Sequence, residues 1–255
     1  MPVSKNTIKY MQSLRQKKFR QKYNKFIVEG DKMARELLQQ RPHWVEQLFA
    51  LPDFMESLGP VQLPPDLEAC TVNHQELSRL SLLKTPNQAL ALVRQPAFQL
   101  QPGHLQGTLS VYLDGLQDPG NMGTLLRLCD WFGISTLICS PDCVEVFNPK
   151  VIQASMGAFL RVKTVVAPFE ALAEAVPGLR VYGADTAGDN VFTADLSPAG
   201  ILVIGNEGAG ISPAILKRVN QRLAIPKGTG GGAESLNAAV AAGIIIGLLK
   251  NKEPS

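Results

Sequence analysis

Short apolar runs alternate with helical stretches from Thr108 onward, and this alternation constrains the fold more than any other feature of the sequence. The strand-like runs, such as residues 109–113, 136–139 and 201–204, are almost entirely apolar, and segments with helical spacing follow most of them. Strands that are apolar on both faces belong to parallel sheets with helices on both sides. The sequence therefore predicts an α/β domain with a mostly parallel sheet over residues 108–255.

A smaller α/β unit is predicted over residues 1–95. Its expected strands lie at residues 26–28 and 89–93, and its expected helices at residues 4–24, 31–40 and 74–83. Between them lie apolar, proline-broken pieces at residues 45–51 and 70–72. Residues 96–107 contain Pro96, Pro102 and Gly103 and show almost no periodic pattern, which is typical of a linker. Two domains, 1–95 and 108–255, are thus expected on either side of the linker 96–107.

Positive charge is concentrated at the N-terminus. Residues 1–25 contain eight of the 25 Lys and Arg residues and no acidic residue. The rest of the chain contains the other 17 basic residues and all 22 acidic residues, so its net charge is −5. Clustered cations commonly neutralise phosphates, which predicts a nucleic-acid contact here. A solvated helical face and an acid-poor mitochondrial transit peptide are the alternatives. The predicted contact residues are Lys9, Arg15, Lys17, Lys18, Arg20 and Lys22.

Membrane and metal-binding classes are not indicated. The longest uncharged apolar run, residues 238–249, is shorter than the roughly 20 residues of a membrane span, and no secretory signal opens the chain. Cys70, Cys129, Cys139 and Cys143 match no zinc-binding spacing. We therefore expect no metal, no membrane association and reduced cysteines in a cytoplasmic protein.

Polar and glycine-rich segments follow three predicted strands, at the edge where an open α/β sheet binds its ligands. The first segment contains Asn121, which would suit the N-cap of a helix predicted at 123–132, and Arg127 on that helix. A surface ion pair is the alternative for Arg127. The second segment, residues 203–212, combines three glycines with Asn206 and Glu207, and glycines allow close backbone approach to a ligand.

The third segment is the glycine-rich stretch 224–237, which precedes a helix predicted at 235–249. It is not a phosphate loop, because no Gly-Lys-Ser/Thr ends the glycines. Gly228, Gly230 and Ala233 match a dinucleotide fingerprint, but that fold needs another strand with an acid about 20 residues later. Only residues 250–255 follow the helix, which argues against a nucleotide-dependent oxidoreductase.

Together, the three segments resemble the three motifs of the SpoU family of RNA ribose methyltransferases, within the SPOUT superfamily. Asn121-x-Gly123-x-x-x-Arg127 resembles the first motif, residues 205–212 (Gly-Asn-Glu-Gly-x-Gly-Ile-Ser) the second, and Ile225-Pro226 with Ser235-Leu236-Asn237 the third. The basic run followed by Phe26-Ile27-Val28-Glu29-Gly30 resembles the substrate-binding domain of these enzymes.

The resemblance implies a homodimer whose C-terminal region forms a trefoil knot holding S-adenosylmethionine. The implied reaction is methylation of a ribose 2′-hydroxyl of RNA, with ribosomal RNA favoured over transfer RNA. The segment between Pro226 and Ser235 is about two residues longer than the family pattern, so the residues 228–233 depart from it. A non-catalytic RNA-binding or ribosome-assembly factor on the same scaffold is the alternative function.

Site residues are implied at the matching positions. Those expected to be catalytic are Arg127, Asn121, Glu207, Ser235 and Asn237. Those expected to bind the cofactor are Gly205, Asn206, Gly210, Ile225 and Leu236, with Thr186 added because it follows a strand predicted at 180–184. A guanidinium almost never loses its proton, so we expect Arg127 to stabilise the developing alkoxide or to orient a phosphate, not to act as a base.

Overall fold

The computed structural model describes residues 3–59 and 63–252, which divide into two compact units. Its strands are β1 (Lys25–Glu29), β2 (Val45–Ala50), β3 (Glu68–Thr71), β4 (Ala89–Arg94), β5 (Leu109–Leu113), β6 (Thr136–Cys139), β7 (Lys163–Val166), β8 (Val181–Asn190), β9 (Gly200–Ile204) and β10 (Gln221–Ala224). Its helices are α1 (Lys5–Ser13), α2 (Lys17–Tyr23), α3 (Asp31–Gln40), α4 (Pro52–Ser57), α5 (His74–Leu80), α6 (Pro119–Trp131), α7 (Pro149–Ser155), α8 (Phe169–Ala175), α9 (Pro213–Leu216) and α10 (Ala238–Lys250).

Unit 1 comprises residues 1–97 and 145–160 and is built on a four-stranded sheet in the order β1-β4-β2-β3. β4 is antiparallel to β1 and β2, and β2 is parallel to β3. Neighbouring residues of β1 point to opposite faces of the sheet. Phe26 and Val28 pack in a core that includes α3, whereas Ile27 packs in a second core that includes residues of α1 and α5. Both faces of this sheet are therefore covered.

The basic N-terminal segment forms two helices, not the single helix predicted over 4–24. α1 ends at Ser13 and α2 begins at Lys17. The Arg20 guanidinium reaches back from α2 and donates hydrogen bonds to the backbone carbonyls of Leu14 and Arg15, both at 2.8 Å. These carbonyls lie in the break between the helices, so Arg20 supplies donors that a continuous helix would otherwise provide.

Residues 145–160 lie in the sequence between β6 and β7 but belong to unit 1. Phe147 packs on Phe26 with ring centroids 4.6 Å apart, and Ile152, Phe159 and Leu160 lie in the core around α3. The predicted division of the chain at residues 96–107 did not anticipate this return of the chain to unit 1.

Unit 2 contains six parallel strands in the order β10-β8-β9-β5-β6-β7. The predicted α/β fold with a parallel sheet is thus confirmed. β5 and β9 are neighbours, although 86 residues separate the end of β5 from the start of β9. The carboxyl ends of these strands therefore bring the first and second predicted segments together. No helix within residues 3–59 and 63–252 is long and apolar enough to cross a membrane.

Candidate active site

Glu207, which follows β9, is hydrogen-bonded to the loop that follows β5. Its Oε1 accepts from the backbone amide of Asp118 and from Nδ2 of Asn121, both at 3.1 Å. Its Oε2 accepts from the backbone amide of Gln117 at 3.3 Å. Burial raises the pKa of the Glu207 carboxyl, but these hydrogen bonds outweigh it and hold the pKa below its usual value. Glu207 is therefore ionised at neutral pH and ties the second segment to the first.

Asn237 connects the third segment to the same point. Its Nδ2 donates to Oδ1 of Asn121 at 2.8 Å. Its Oδ1 accepts from the amides of Ala239 and Val240 and so caps α10. The buried amide of Asn121 thus donates to Glu207 and accepts from Asn237. One hydrogen-bonded group, here called the Asn121 cluster (Asn121, Glu207 and Asn237), joins all three predicted segments.

The N-cap of α6 is Asp118, so the interpretation of Asn121 as an N-cap was wrong. Asp118 accepts from the amide of Asn121 at 2.7 Å, and Pro119 occupies the first helical position. α6 consequently begins four residues earlier than the predicted 123–132. An Asp before Pro is a frequent helix start, which the sequence reading did not use. Asn121 is therefore free to contribute its side chain to the cluster.

Asn206 shapes the loop after β9. Its Nδ2 donates to the carbonyl of Gly115 at 2.7 Å, and its Oδ1 accepts from the amides of Gly208 and Ala209 at 2.9 and 3.0 Å. A Cβ added at Gly205 would lie 2.2 Å from the backbone carbon of Gly210, a distance that real Cβ atoms do not reach. Glycine at position 205 is therefore required for the loop to fold back on itself.

Asp114 and Ser140 belong to the same edge and were missed by sequence reasoning. Oδ2 of Asp114 accepts from the amide of Ser212 at 2.7 Å, and Oγ of Ser140 accepts from the amide of Gly115 at 2.8 Å. Asp114 is a buried acid directly after an apolar strand, a signal that could have found it. Ser140 follows β6, and only the pairing of β6 with β5 brings it here.

Arg127 lies on α6 and is exposed. Within the described part of the chain it makes no hydrogen bond or ion pair, and neither Asn121 nor Glu207 holds it. Ser235 is also exposed, and α10 begins three residues after it at Ala238, not at the predicted 235. The structure thus groups three of the five predicted catalytic residues and leaves Arg127 and Ser235 at the surface.

The predicted cofactor residues lie in the segments that follow β9 and β10, except for Thr186. Ile225 is half-buried directly after β10, and Leu236 is 47% exposed beside Asn237. Gly210 pairs with Asn206 through reciprocal backbone hydrogen bonds.

Thr186 lies within β8 and not after it. However, β8 pairs with β9 only over residues 181–183, and its register against β10 jumps from Gly183 to Asp189, so Thr186 sits on an exposed bulge.

The basic residues predicted to contact nucleic acid are exposed, with one exception. Lys9, Arg15, Lys17, Lys18 and Lys22 have exposed side chains. Arg20 is only 2% exposed and forms an ion pair with Glu145, which also belongs to unit 1. Because the donors of Arg20 are engaged inside the protein, its predicted phosphate contact is corrected to a structural role.

The chain combines a parallel α/β sheet, whose strand-end loops meet at one polar cluster, with a second unit that carries exposed cations. This combination suits an enzyme that acts on a nucleic acid. Residues 108–247 match the family profile described as the SpoU rRNA methylase family, and residues 5–91 match the MRM3-like substrate binding domain. The chain belongs to the SpoU rRNA methylase family. The family resemblance of the sequence motifs is therefore confirmed.

Several named proteins are similar to this chain over nearly its whole length. The 23S rRNA (guanosine(2553)-2′-O)-methyltransferase RlmP of Bacillus subtilis is 28% identical over 94% of this chain and 94% of its own length. A protein of Porphyromonas gingivalis described as an RNA methyltransferase of the TrmH family is 35% identical, with a TM-score of 0.88 over 99% of this chain and 100% of its own. The AdoMet-bound rRNA methyltransferase of Sinorhizobium meliloti is 25% identical, with a TM-score of 0.88 over 100% of this chain and 98% of its own.

Proposed function

We propose that this chain transfers a methyl group from S-adenosylmethionine to a ribose 2′-hydroxyl of ribosomal RNA. Membership of the SpoU rRNA methylase family supports the reaction, and the RlmP relative carries 2′-O specificity in its name. The AdoMet-bound relative supports the cofactor. Because the 2′-hydroxyl is present in RNA and absent from DNA, the reaction also defines the class of nucleic acid.

The Asn121 cluster carries the proposal. Three loops from distant parts of the chain converge through a carboxylate and two amides, and every side chain of the cluster has a hydrogen-bond partner. Such a network keeps loop backbones in one arrangement before the ligand arrives, which lowers the cost of ordering them during the reaction. Its position at the carboxyl ends of β5, β9 and β10 is where α/β sheets bind ligands.

The residues around the third segment suit an adenosine group. Leu236 and Ile225 offer apolar side chains at an exposed rim, where a planar base would cover them. The backbone groups of Leu236 make no hydrogen bond with the described residues, so they are available to the polar edge of the base. Bound S-adenosylmethionine supplies a methyl group activated by a sulfonium charge. Gly205, Ile225 and Leu236 would hold it.

Arg127 would act on the RNA. Its guanidinium is exposed and not engaged by the described residues, and it carries a permanent charge with five donors. Placed near the reacting ribose, this charge stabilises negative charge that develops on the 2′-oxygen as its proton leaves. The same donors can bind a backbone phosphate and position the nucleotide. Both roles act on the RNA and leave cofactor binding to other residues.

The proposed enzyme is a homodimer that pairs through α6 and α10. α10 is apolar on all sides until Lys250, which is unusual for a helix exposed to water. Trp131 on α6 is 84% exposed and Val240 on α10 is 52% exposed. α6 and α10 pack on each other, and a second copy that paired with these two helices would cover both side chains. Sedimentation of Val240→Glu as a monomer, with the wild type as a dimer, is the expected result.

Unit 1 would supply RNA affinity through its exposed cations. Replacing Lys9, Lys17, Lys18 and Lys22 by Gln should reduce the dependence of RNA affinity on salt, because each phosphate contact contributes roughly 0.7–0.9 to the logarithmic slope. An unchanged slope would show that RNA binds elsewhere.

A methyl-transfer assay tests the function. Wild-type protein, radiolabelled S-adenosylmethionine and ribosomal RNA or ribosomal subunits should yield labelled 2′-O-methyl nucleosides after digestion. Arg127→Ala should abolish transfer while calorimetry shows cofactor binding retained, and Arg218→Ala, another exposed Arg of unit 2, serves as the matched control. Retained RNA binding without transfer in the wild type would favour the non-catalytic factor. Loss of cofactor binding in folded Arg127→Ala would refute the proposed role of Arg127.

A further inference from the structure

Unit 1 contains an open cleft of about 820 Å³, and all of its lining residues belong to this unit. It forms where β2 and β3 end and β4 begins, so three strands contribute to one edge of the sheet. Leu51 and Val72, both buried, provide apolar wall, and Pro52 lies beside them. A cleft of this size is within the range of small-ligand sites, and an apolar wall with a few polar groups is typical of them.

Gln88 lines this cleft in an unfavourable backbone conformation. Its φ is +29°, and the amide of Ala89 hydrogen-bonds to the carbonyl of Asn87, which makes Gln88 the centre of a three-residue turn. Such turns are rare and strained for residues with a side chain. The Gln88 carbonyl also accepts from the amide of Leu51 at 2.9 Å, so the turn is fixed to the end of β2. Strain that is held in place in this way is typical of ligand sites.

The side-chain amide of Gln88 has an unused hydrogen-bonding atom. Its Oε1 is shielded from solvent and has no hydrogen-bond partner among the described residues. The residue as a whole is only half-buried, so rotation of the side chain can bring the oxygen to the cleft. That rotation breaks no hydrogen bond of the oxygen. A ligand donor that meets it therefore removes the penalty of a buried, unpaired acceptor.

The other polar groups of the cleft are also available, and acceptors predominate among them. The side chains of Asp53, Thr71 and His74 make no hydrogen bond or ion pair with described residues, and all three residues line the cleft. Glu76 is already engaged, because it accepts from the amides of Val3 and Asn73. The carboxylates disfavour a phosphate inside the cleft. A flat group with amino donors suits these walls, and acidic and amide side chains pair with the amino groups of bases.

We propose that this cleft binds an unpaired RNA base that carries an amino group, with Gln88 as the residue that distinguishes such a base from uracil. The inference rests on the proposed RNA substrate, since the same unit matches a substrate-binding domain. Single-stranded bases are recognised in this manner, by stacking and by hydrogen bonds to their edges.

Exposed cations on α1, which packs on a helix that lines the cleft, would bind the adjoining phosphates. α1 packs along α5, whose first turn lines the cleft, and Nε2 of Gln12 donates to the carbonyls of Arg79 and Ser81. The hydrogen bond from Val3 to Glu76 brings the start of α1 to this end of α5. Lys5 and Lys9 are exposed on α1. They would hold the RNA backbone while the cleft reads one base.

The test compares four fluorescein-labelled RNA 9-mers that differ only in the central base of a uridine run: G, C, A or U. Fluorescence anisotropy with the full chain gives the ratio of affinities for each amino-bearing base over uracil. We expect the best ratio to be roughly fivefold in the wild type, the effect of about one hydrogen bond. Gln88→Gly removes the side chain and suits the positive φ, so its ratio should fall to about one without a loss of thermal midpoint.

Asn24→Gly is the matched control, because Asn24 also has a positive φ, of 53°, but lies outside the cleft lining. It should keep the wild-type ratio. Equal affinities for all four RNAs in the wild type, or an unchanged ratio in Gln88→Gly, would overturn the inference. The ratio is independent of methyl transfer. Active enzyme without base preference therefore refutes the cleft alone, and base preference without any transfer refutes the proposed reaction alone.

Discussion

Asn237 makes two separable interactions: a hydrogen bond that joins the site loops and an N-cap that stabilises α10. Substitutions at this position can measure each of them. In Asn237→Ala two interactions are lost: the cap of α10, with amides at 3.0 and 3.2 Å, and the 2.8 Å hydrogen bond to Asn121. The cap contributes about 1 kcal/mol and the hydrogen bond about 1 kcal/mol more. The expected loss in free energy of unfolding is therefore about 2 kcal/mol.

Asn237→Asp separates the two contributions. Aspartate is an equally good N-cap, so the cap is retained, but the donor to Asn121 is replaced by a second acceptor. The carboxylate then faces Oδ1 of Asn121, which leaves that oxygen without its donor. We expect Asn237→Asp to lose about 1 kcal/mol and to lose methyl transfer to the same extent as Asn237→Ala.

Urea denaturation measures both losses, and a double-mutant cycle with Asn121→Ala isolates the pair. The coupling energy between positions 121 and 237 should be about 1 kcal/mol. Asn148→Ala is the control, since Asn148 caps α7 through the amide of Lys150 only. It should lose about 1 kcal/mol with methyl transfer intact. Zero coupling, or full transfer in Asn237→Asp, would refute the role of the Asn121 cluster.

Three further substitutions test other parts of the structure. Gly205→Ala places a Cβ 2.2 Å from the Gly210 backbone, so the loop must move, and calorimetry should show S-adenosylmethionine binding reduced or lost. Arg20→Ala removes the buried member of the ion pair and leaves the half-buried carboxylate of Glu145 without its partner. It should destabilise the protein by about 3–5 kcal/mol, measured by urea denaturation; a loss below 1 kcal/mol would mean that the pair is effectively solvated. A hydrogen bond with Cys139 lowers the pKa of the buried Cys143 thiol to about 7, so the ultraviolet absorbance of its thiolate should rise as the pH passes through 7, and Cys143→Ser should remove that phase; a rise only above pH 8.5, the ordinary thiol range, would contradict it.

Most strands were predictable because a strand that is buried on both faces consists almost entirely of apolar residues. The bounds of β5 and β6 were predicted exactly as observed, and β9 within one residue, since apolar runs between turn residues mark buried strands. The predicted helix over 4–24 was wrong because its break depends on Arg20, whose partners are backbone carbonyls and a residue 125 positions away. No local pattern carries that information.

The site was predictable as a set of residues but not as an arrangement. Motif resemblance located Asn121, Glu207 and Asn237, yet their hydrogen bonds follow from β9 lying beside β5 and from the position of α10. Both Asn121 and Arg127 lie on α6, but Asn121 uses its amide for the cluster and Arg127 faces solvent. The site roles, the domain bounds, the knot and the homodimer stay predictions.

The excursion of residues 145–160 into unit 1 changes how the basic unit is to be studied. Deleting residues 1–95 removes more than RNA-binding charge, because Ile152, Phe159 and Leu160 pack in the core that those residues build. Their burial contributes about 1.5–3 kcal/mol each, so the truncated chain would expose them and aggregate or rearrange between β6 and β7. A loss of RNA affinity after truncation would then have two causes. Charge substitutions at Lys9, Lys17, Lys18 and Lys22, which are exposed, change the electrostatic contribution and leave that core intact.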